Sequence, residues 1–473
     1  MKNLIYQILM FLIVLSAPVF GQNNAGIEGN WLGSLEFNGI KMRLLLKVSK
    51  TAGGFAAKLD SIDQGANDLE IDAIKQQNNL VTFEAQKYGL SYEGILGENG
   101  SQISGTLKQG GNSLPLTFKR ATEMPKISRP QDPQKPYPYN EEEVSYKNTK
   151  DNVKLAGTLT LPRGGGQYPA VILITGSGAQ DRNETVAGHR PFLVLADYLT
   201  RRGIAVLRVD DRGVGGSESG SPDFTAENFA GDVLAGIEYL KTRKEINPKQ
   251  IGLIGHSEGG MIAPMVAARS NDAAFIVLLA GLGQTGADVI YTQTELLQKA
   301  GGVSQNVTAQ SVKFLKSIVA ILKSEPDSKR AEQRINELLA KASSGLSEDE
   351  KKEFAATEAT IKAQIPMYVS AWFRYFVAFD PRPTLKKVKA PVLALNGEND
   401  LQVAWKENLD LIAAGLKAGG NKDYTIKSFP KLNHLFQTSQ SGQLSEYDKI
   451  EETISPQVLE TVADWILKRT AAK

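Results

Sequence analysis

The residues best suited to chemistry lie in Ile251-Gly252-Leu253-Ile254-Gly255-His256-Ser257-Glu258-Gly259-Gly260, where an apolar run enters the spacing G-x-S-x-G. A serine hydroxyl attacks a carbonyl only when it is held on an exposed tip beside a base. Small residues two positions before and after it let a strand turn sharply into a helix. Gly255 and Gly259 meet that need, and the pattern occurs once in the chain. Residues 250–255 read as a short buried strand. Residues 259–269 read as a helix of small and apolar residues, with Pro264 interrupting its interior bonding.

A serine nucleophile requires a base, and the 473 residues contain three histidines, His189, His256 and His434. His256 adjoins the serine on the turn itself, where its side chain points elsewhere. His189 precedes the serine, in a loop after the first long strand, and His434 follows a late strand at 424–429. The chain order Ser, acid, His selects His434. The acid then belongs between them, at the end of a strand. Residues 391–396 form an apolar strand that empties into Gly397-Glu398-Asn399-Asp400, so Asp400 is the candidate and Glu398 the fallback. A buried carboxylate there orients the imidazole and stabilises the imidazolium formed when it takes the serine proton. The oxyanion needs two donors: the backbone N–H of Glu258 at the helix start, and that of Ser177, or Gly178, in the glycine-rich loop after a strand at 170–175. No Walker lysine follows that loop, which argues against a phosphate site.

These residues sit in longer matches. Thr175-Gly176-Ser177-Gly178-Ala179-Gln180-Asp181-Arg182-Asn183-Glu184, together with Gly255-His256-Ser257-Glu258-Gly259-Gly260, resembles the bacterial esterase D type of α/β-hydrolase. Asp210-Asp211-Arg212-Gly213-Val214-Gly215-Gly216-Ser217 resembles the loop such enzymes carry at the mouth of the site. Trp372-Phe373-Arg374-Tyr375-Phe376 and Asp380-Pro381 resemble the return from their helical cap. The resemblance covers nearly all of the chain after the leader and implies a carboxylesterase acting on short acyl esters. Thr175-Gly176 stands where many members of the wider superfamily have His-Gly.

The elements that must position these residues follow from patterning. Lys2, the apolar run 4–15 and Ser16-Ala17-Pro18-Val19-Phe20-Gly21 read as a signal peptide cut after Gly21, which predicts a secreted or periplasmic protein. The apolar run is too short to span a bilayer comfortably, so no stable membrane insertion is expected. The absence of cysteine excludes disulfides, thiol ligands and a lipoprotein anchor. A net charge of +2, without a basic cluster interleaved with aromatics, gives no sign of nucleic-acid binding. Residues 22–121 alternate apolar and polar between turn signals and predict a small antiparallel β domain, lipocalin-like or barrel-like, opened by Gly29-Asn30-Trp31-Leu32-Gly33. Residues 122–140 carry five prolines and read as a semi-rigid linker.

From 141 to 473 an edge hairpin turning at Thr149-Lys150-Asp151-Asn152 precedes alternating strands and helices. The expected fold class is α/β, a doubly wound, mostly parallel sheet with ligands at the carboxyl ends of its strands. At about 282–384 the alternation yields to helical stretches, including 288–300, 309–323, 329–342 and 347–363. These read as an inserted cap whose Trp372 and Phe373, with Met367, Tyr368 and Phe376, line the substrate pocket.

The resulting expectation is a secreted serine carboxylesterase for a small-molecule ester, with Ser257, Asp400 and His434 as triad and neither metal nor other cofactor. An acyl-CoA thioesterase or acyltransferase would use the same turn, although a leader argues against intracellular thioesters. A serine peptidase is a further alternative. A non-catalytic lipid or ligand carrier is the reading from another class, and the complete triad speaks against it.

Overall fold

The computed structural model describes residues 26–471 apart from 38–39, 52, 65, 110–111, 122–127, 345–357 and 359–360. The expected leader and most of the helix expected at 347–363 lie outside the described residues. Two compact units are present. One comprises the described residues up to Gly33 with Leu46–Lys58 and Glu70–Thr122, and the other comprises Ser34–Leu45, Leu59–Leu69 and Glu123–Lys473.

The N-terminal strands β1 (Gly29–Phe37), β2 (Ile40–Thr51), β3 (Gly54–Ser61), β4 (Ala66–Glu70), β5 (Ala73–Gln77), β6 (Leu80–Ala85), β7 (Leu90–Leu96), β8 (Gln102–Gln109) and β9 (Asn112–Arg120) form one sheet in the order β4-β3-β2-β1-β9-β8-β7-β6-β5. β4 and β5 are its two edges, so the sheet is a half-barrel rather than a closed one. Alternate side chains of β6 and β7 are buried, as a half-solvated antiparallel sheet requires. Phe83, Tyr92 and Phe118 are buried in mutual ring contact, and the Tyr92 hydroxyl donates to the carbonyls of Ile103 and Leu116 at 3.1 and 3.0 Å. Trp31 is fully buried; its indole donates to the Ile27 carbonyl and its ring lies under the Arg120 guanidinium. It packs the sheet rather than lining an open cavity.

In the second unit, β10 (Asn140–Asn148) and β11 (Val153–Leu161) form the hairpin, with Asn152 at φ +58° in its turn. The strands β12 (Tyr168–Ile174), β13 (Ala205–Val209), β14 (Ile246–His256), β15 (Phe275–Leu279), β16 (Val392–Gly397) and β17 (Tyr424–Phe429) complete an eight-stranded sheet ordered β10-β11-β13-β12-β14-β15-β16-β17, parallel from β13 to β17. β14 starts earlier than its apolar run, and a register shift between the Tyr168–Ile246 and Ala170–Ile251 pairings accommodates residues 247–250.

Helices α1 (Pro191–Arg201), α2 (Ala226–Lys241), α3 (Gly259–Ala267), α4 (Gly286–Ala300), α5 (Gln305–Ser324), α6 (Ser328–Ser344), α7 (Ala371–Ala378), α8 (Pro381–Leu385), α9 (Trp405–Ala418) and α10 (Pro456–Thr470) accompany the sheet. Val171, Leu173, Val206 and Ile254 face a core shared with α1 and α10. Ala170, Ile172, Ile174, Leu207 and Leu253 face one shared with α2, α3 and α9. Burial on both faces explains why these strands read as unbroken apolar runs. The chain leaves β12 towards β13 on one side and returns to β14 on the other, so the loops after β12 and β14 diverge from a crevice at the strand ends.

Between β15 and β16 come α4 to α8 and a helical run at 361–368. Thr285, Ser304 and Ser370 cap α4, α5 and α7 with side-chain oxygens accepting backbone N–H groups. Within the second unit, residues 128–140 are held by hydrogen bonds. The Arg129 guanidinium donates to the carbonyls of Ala187, Gly188, Asp448 and Ile450, and Gln131 bonds both Thr453 and Ile454. His189 is structural: it is fully buried, with its ring nitrogens 2.9 Å from the Thr453 hydroxyl and 2.8 Å from the Tyr447 carbonyl.

The turn into α3 is the tightest packing in the sheet. A Cβ at Gly259 would meet the Ile174 carbonyl oxygen at 2.2 Å, and one at Gly53 would meet nothing within 4 Å. Gly259→Ala should therefore lower stability by about 3 kcal/mol or prevent folding, with Gly53→Ala nearly neutral, as thermal unfolding will show. Burial, with the nearby Arg129 charge, lowers the His189 pKa to about 4. Below pH 6.5 the unfolded chain binds this proton before the folded one, so stability contributed by neutral His189 is lost as pH falls from 6.5 to 4. His189→Gln should flatten that part of a stability-against-pH curve; an unchanged slope would refute the assignment.

Candidate functional site

Ser257 stands at φ +53° between β14 and α3, a left-handed conformation rarely adopted by a residue with a side chain. Its N–H donates to the Leu279 carbonyl at 2.8 Å and its own carbonyl accepts from Gly260, so the backbone on both sides is held. The glycines allow this. A Cβ at Gly255 would meet the Gly259 carbonyl oxygen at 2.0 Å, and one at Gly260 would meet Gly281 Cα at 2.6 Å. Unlike its neighbours, Ser257 keeps partial exposure.

Asp400 and His434 come together from the loops after β16 and β17. His434 Nδ1 lies 2.8 Å from Asp400 Oδ2, and both residues are buried. Asp400 Oδ1 accepts the N–H groups of Gln402 and Val403 at 2.8 and 2.9 Å, which fixes the carboxylate plane. With Nδ1 donating to the carboxylate, Nε2 is left as the acceptor that a general base needs. Glu398 is engaged elsewhere, accepting from the Ser428 hydroxyl at 2.8 Å.

The loop after β12 lies against the serine: a Cβ at Gly176 would be 3.3 Å from Ser257 Cβ. Glu258 opens α3, where the first N–H groups of a helix lack internal partners. The Ser177 side chain favours the ionised form of the Glu258 carboxyl. The Trp372 indole N–H donates to both Glu258 carboxylate oxygens, at 2.9 and 3.1 Å. Burial raises the Glu258 pKa, opposed by these two side chains. Trp372 is thus a strut from α7 to the residue after the serine. Phe373 is 3% exposed and packs beside Tyr368 and Trp372, whereas Met367 is exposed.

Asp210 and Asp211, ending β13, behave oppositely. Burial disfavours the Asp210 charge, but the two-pronged Arg182 guanidinium, at 2.7 and 3.0 Å, and the N–H groups of Gly216 and Arg182 hold its pKa below the usual range. Burial pushes Asp211 up to about 8, against bonds from the Thr175 hydroxyl and Gln180 N–H and helped by the charges of Glu184 and Glu258. Asp211 and Glu258 border a cavity of about 40 Å³ with Thr175, Gly176, Phe229 and Ile262.

Two buried residues at the site have partners that their sequence positions do not reveal. His256 Nδ1 lies 2.9 Å from Glu184 Oε1, and His256 Nε2 lies 3.0 Å from the His434 carbonyl oxygen. The only sequence signal was their place inside the two motifs. Among the described residues no group of three or more His, Asp or Glu has metal-site geometry, and no helix is long and apolar enough to cross a membrane.

Comparison with known proteins agrees with the resemblance read in the motifs. Esterase EstD of Thermotoga maritima is 25% identical over 394 residues, covering 82% of this chain and 81% of that protein. Similar solved structures include the α/β hydrolase GrgF of Penicillium, 17% identical over 70% of this chain and 100% of that one, with a TM-score of 0.43. An esterase of Pyrococcus furiosus is 16% identical over 70% of this chain and 93% of that one, with a TM-score of 0.42. The family model of the X-Pro dipeptidyl-peptidases (S15 family) matches residues 151–422, more than half of the sequence. Its span runs from the β10–β11 turn past β16 and takes in the serine turn and the Asp400 loop. The chain is therefore a hydrolase and belongs to the X-Pro dipeptidyl-peptidase (S15) family.

Proposed function

We propose that this hydrolase is a serine carboxylesterase for short acyl esters, exported by the leader that ends at Gly21. The observation that carries the reading is the His434–Asp400 pair, set at the same end of the sheet as a serine on a strained turn. Ser257 Oγ attacks the ester carbonyl while His434 takes its proton, and Asp400 stabilises the imidazolium. The N–H groups of Glu258 and Ser177 receive the oxyanion. The alcohol leaves with the proton returned by His434, and water then releases the acid by the same route. The similarity to EstD supports an ester as substrate. The small volume of the cavity beside Gly176, about 40 Å³, supports a short acyl group.

Membership of the S15 family favours one second reading, a peptidase releasing X-Pro dipeptides. Both readings use one nucleophile and differ in leaving group. A panel of p-nitrophenyl esters from acetate to decanoate, run beside an X-Pro anilide and an acyl thioester, separates them. Turnover should be highest on acetate to butyrate and negligible on the anilide; the reverse ranking would make the peptidase reading correct. Ser257→Ala and His434→Ala should each lower kcat by at least about 10³-fold with the fold retained. Near wild-type turnover in either folded variant would refute the mechanism. Shrinking Trp372 should alter the chain-length ranking, and N-terminal sequencing of protein from its host should begin at or near Gln22.

A further inference from the structure

Glu184 and His256 are buried, charge-bearing and unused by the proposed reaction. The same oxygen, Glu184 Oε1, lies 2.7 Å from the Gly176 nitrogen and 2.9 Å from His256 Nδ1. A backbone N–H can only donate, so Oε1 accepts from Gly176 and is placed to accept from Nδ1 as well. On the other side of the ring, Nε2 faces the His434 carbonyl oxygen, which can only accept. An imidazole between two acceptors satisfies both only with a proton on each nitrogen. We propose that Glu184 and a doubly protonated His256 form a standing ion pair that positions the oxyanion loop and the base loop around the nucleophile.

The inference rests on reading Ser257 and His434 as catalytic, and it makes Glu184 and His256 positioning residues. Three parts of the site meet at the pair. Gly176 precedes Ser177, His256 precedes Ser257 in the chain, and the carbonyl held by Nε2 belongs to His434 itself. The loop is shaped to deliver this carboxylate. Glu184 has φ +52°, and the Asp181 side chain braces the turn around it by accepting from the N–H groups of Asn183 and Thr185 and from the Thr185 hydroxyl. The charged or titratable groups facing His256 are Glu184 from the β12 loop, His434 from the β17 loop, with ring centroids 4.7 Å apart, and Asp400 from the β16 loop. Burial works against the imidazolium, yet the Glu184 charge outweighs it and holds the His256 pKa above its ordinary value. A buried pair of this kind gains little stability over apolar packing, but it fixes geometry, and removing one partner strands the other.

The test uses the full-length protein with 15N-labelled histidine, which leaves only three imidazoles to assign. At pH 7.5 the wild type should show His256 with both nitrogens protonated. In Glu184→Gln the ring should be neutral, because an amide supplies no counter-charge. In the p-nitrophenyl butyrate assay, Glu184→Gln and the near-isosteric His256→Phe should each lower kcat by about 10- to 100-fold with KM within about 2-fold. The double variant should be no worse than the poorer single one, since the two residues act as a unit. A neutral His256 in the wild type, wild-type kcat in folded Glu184→Gln, or multiplicative losses in the double variant would overturn the ion pair. If either single variant fails to fold, the wild-type spectrum still decides the charge state. Failure of the underlying reading would be recognised separately, as turnover surviving Ser257→Ala or His434→Ala while the His256 spectrum stays imidazolium-like.

Discussion

The backbone-to-backbone contact at the start of α3 is the constraint on which the rest of the site depends. Gly255, Gly259 and Gly260 let the helix lie against β12, β14 and the Gly281 turn at distances that no side chain would tolerate. That contact leaves Ser257 in a left-handed conformation, its N–H bonded to the end of β15. A residue held this way has the direction of its Cα–Cβ bond set by the main chain. It loses little freedom when a substrate binds, and this is the physical content of preorganisation. The cost in strain is borne by the two cores on either face of the sheet.

Around that turn the loops are wired by charge, and the ten residues after β12 show how. Thr175 bonds Asp211, Gly176 bonds Glu184, Arg182 grips Asp210, Asn183 meets Arg208 and Glu184 meets His256. The acids in this set divide by partner. Asp210 faces a guanidinium and is held ionised, whereas burial pushes Asp211, bonded only to neutral donors, up to about 8. At one strand end, partner chemistry therefore sets the charge of adjacent carboxylates. A site that mixes fixed charges with neutral acids can orient a carbonyl without placing a free anion next to the nucleophile.

Among the described residues, the helices between β15 and β16 reach this network through Trp372. Trp372 on α7 donates to Glu258, the residue whose N–H would receive the oxyanion, and stacks on Phe376 behind it. The contact couples the position of α7 to the first turn of α3. A substrate that displaces Trp372 would have to find the Glu258 carboxyl another donor, since an unsatisfied buried carboxyl is costly.

The sequence by itself determined the parts of this protein that depend on local geometry. A sharp strand-to-helix turn admits only small residues at 255 and 259, buried parallel strands must be continuously apolar, and a hairpin needs a left-handed position such as Asn152. Such requirements act within a few residues of chain and leave a pattern. Chain order had already paired Asp400 with His434, but tertiary structure alone decided which groups separated by 72 or 178 residues would meet: Glu184 with His256, and His256 with the His434 carbonyl. It also bonded Arg129 and Gln131 to the carbonyls of Ile450 and Ile454 within the second unit. No local rule reports these contacts, because a buried charge or ring nitrogen chooses its partner from whatever the folded sheet brings within hydrogen-bonding distance.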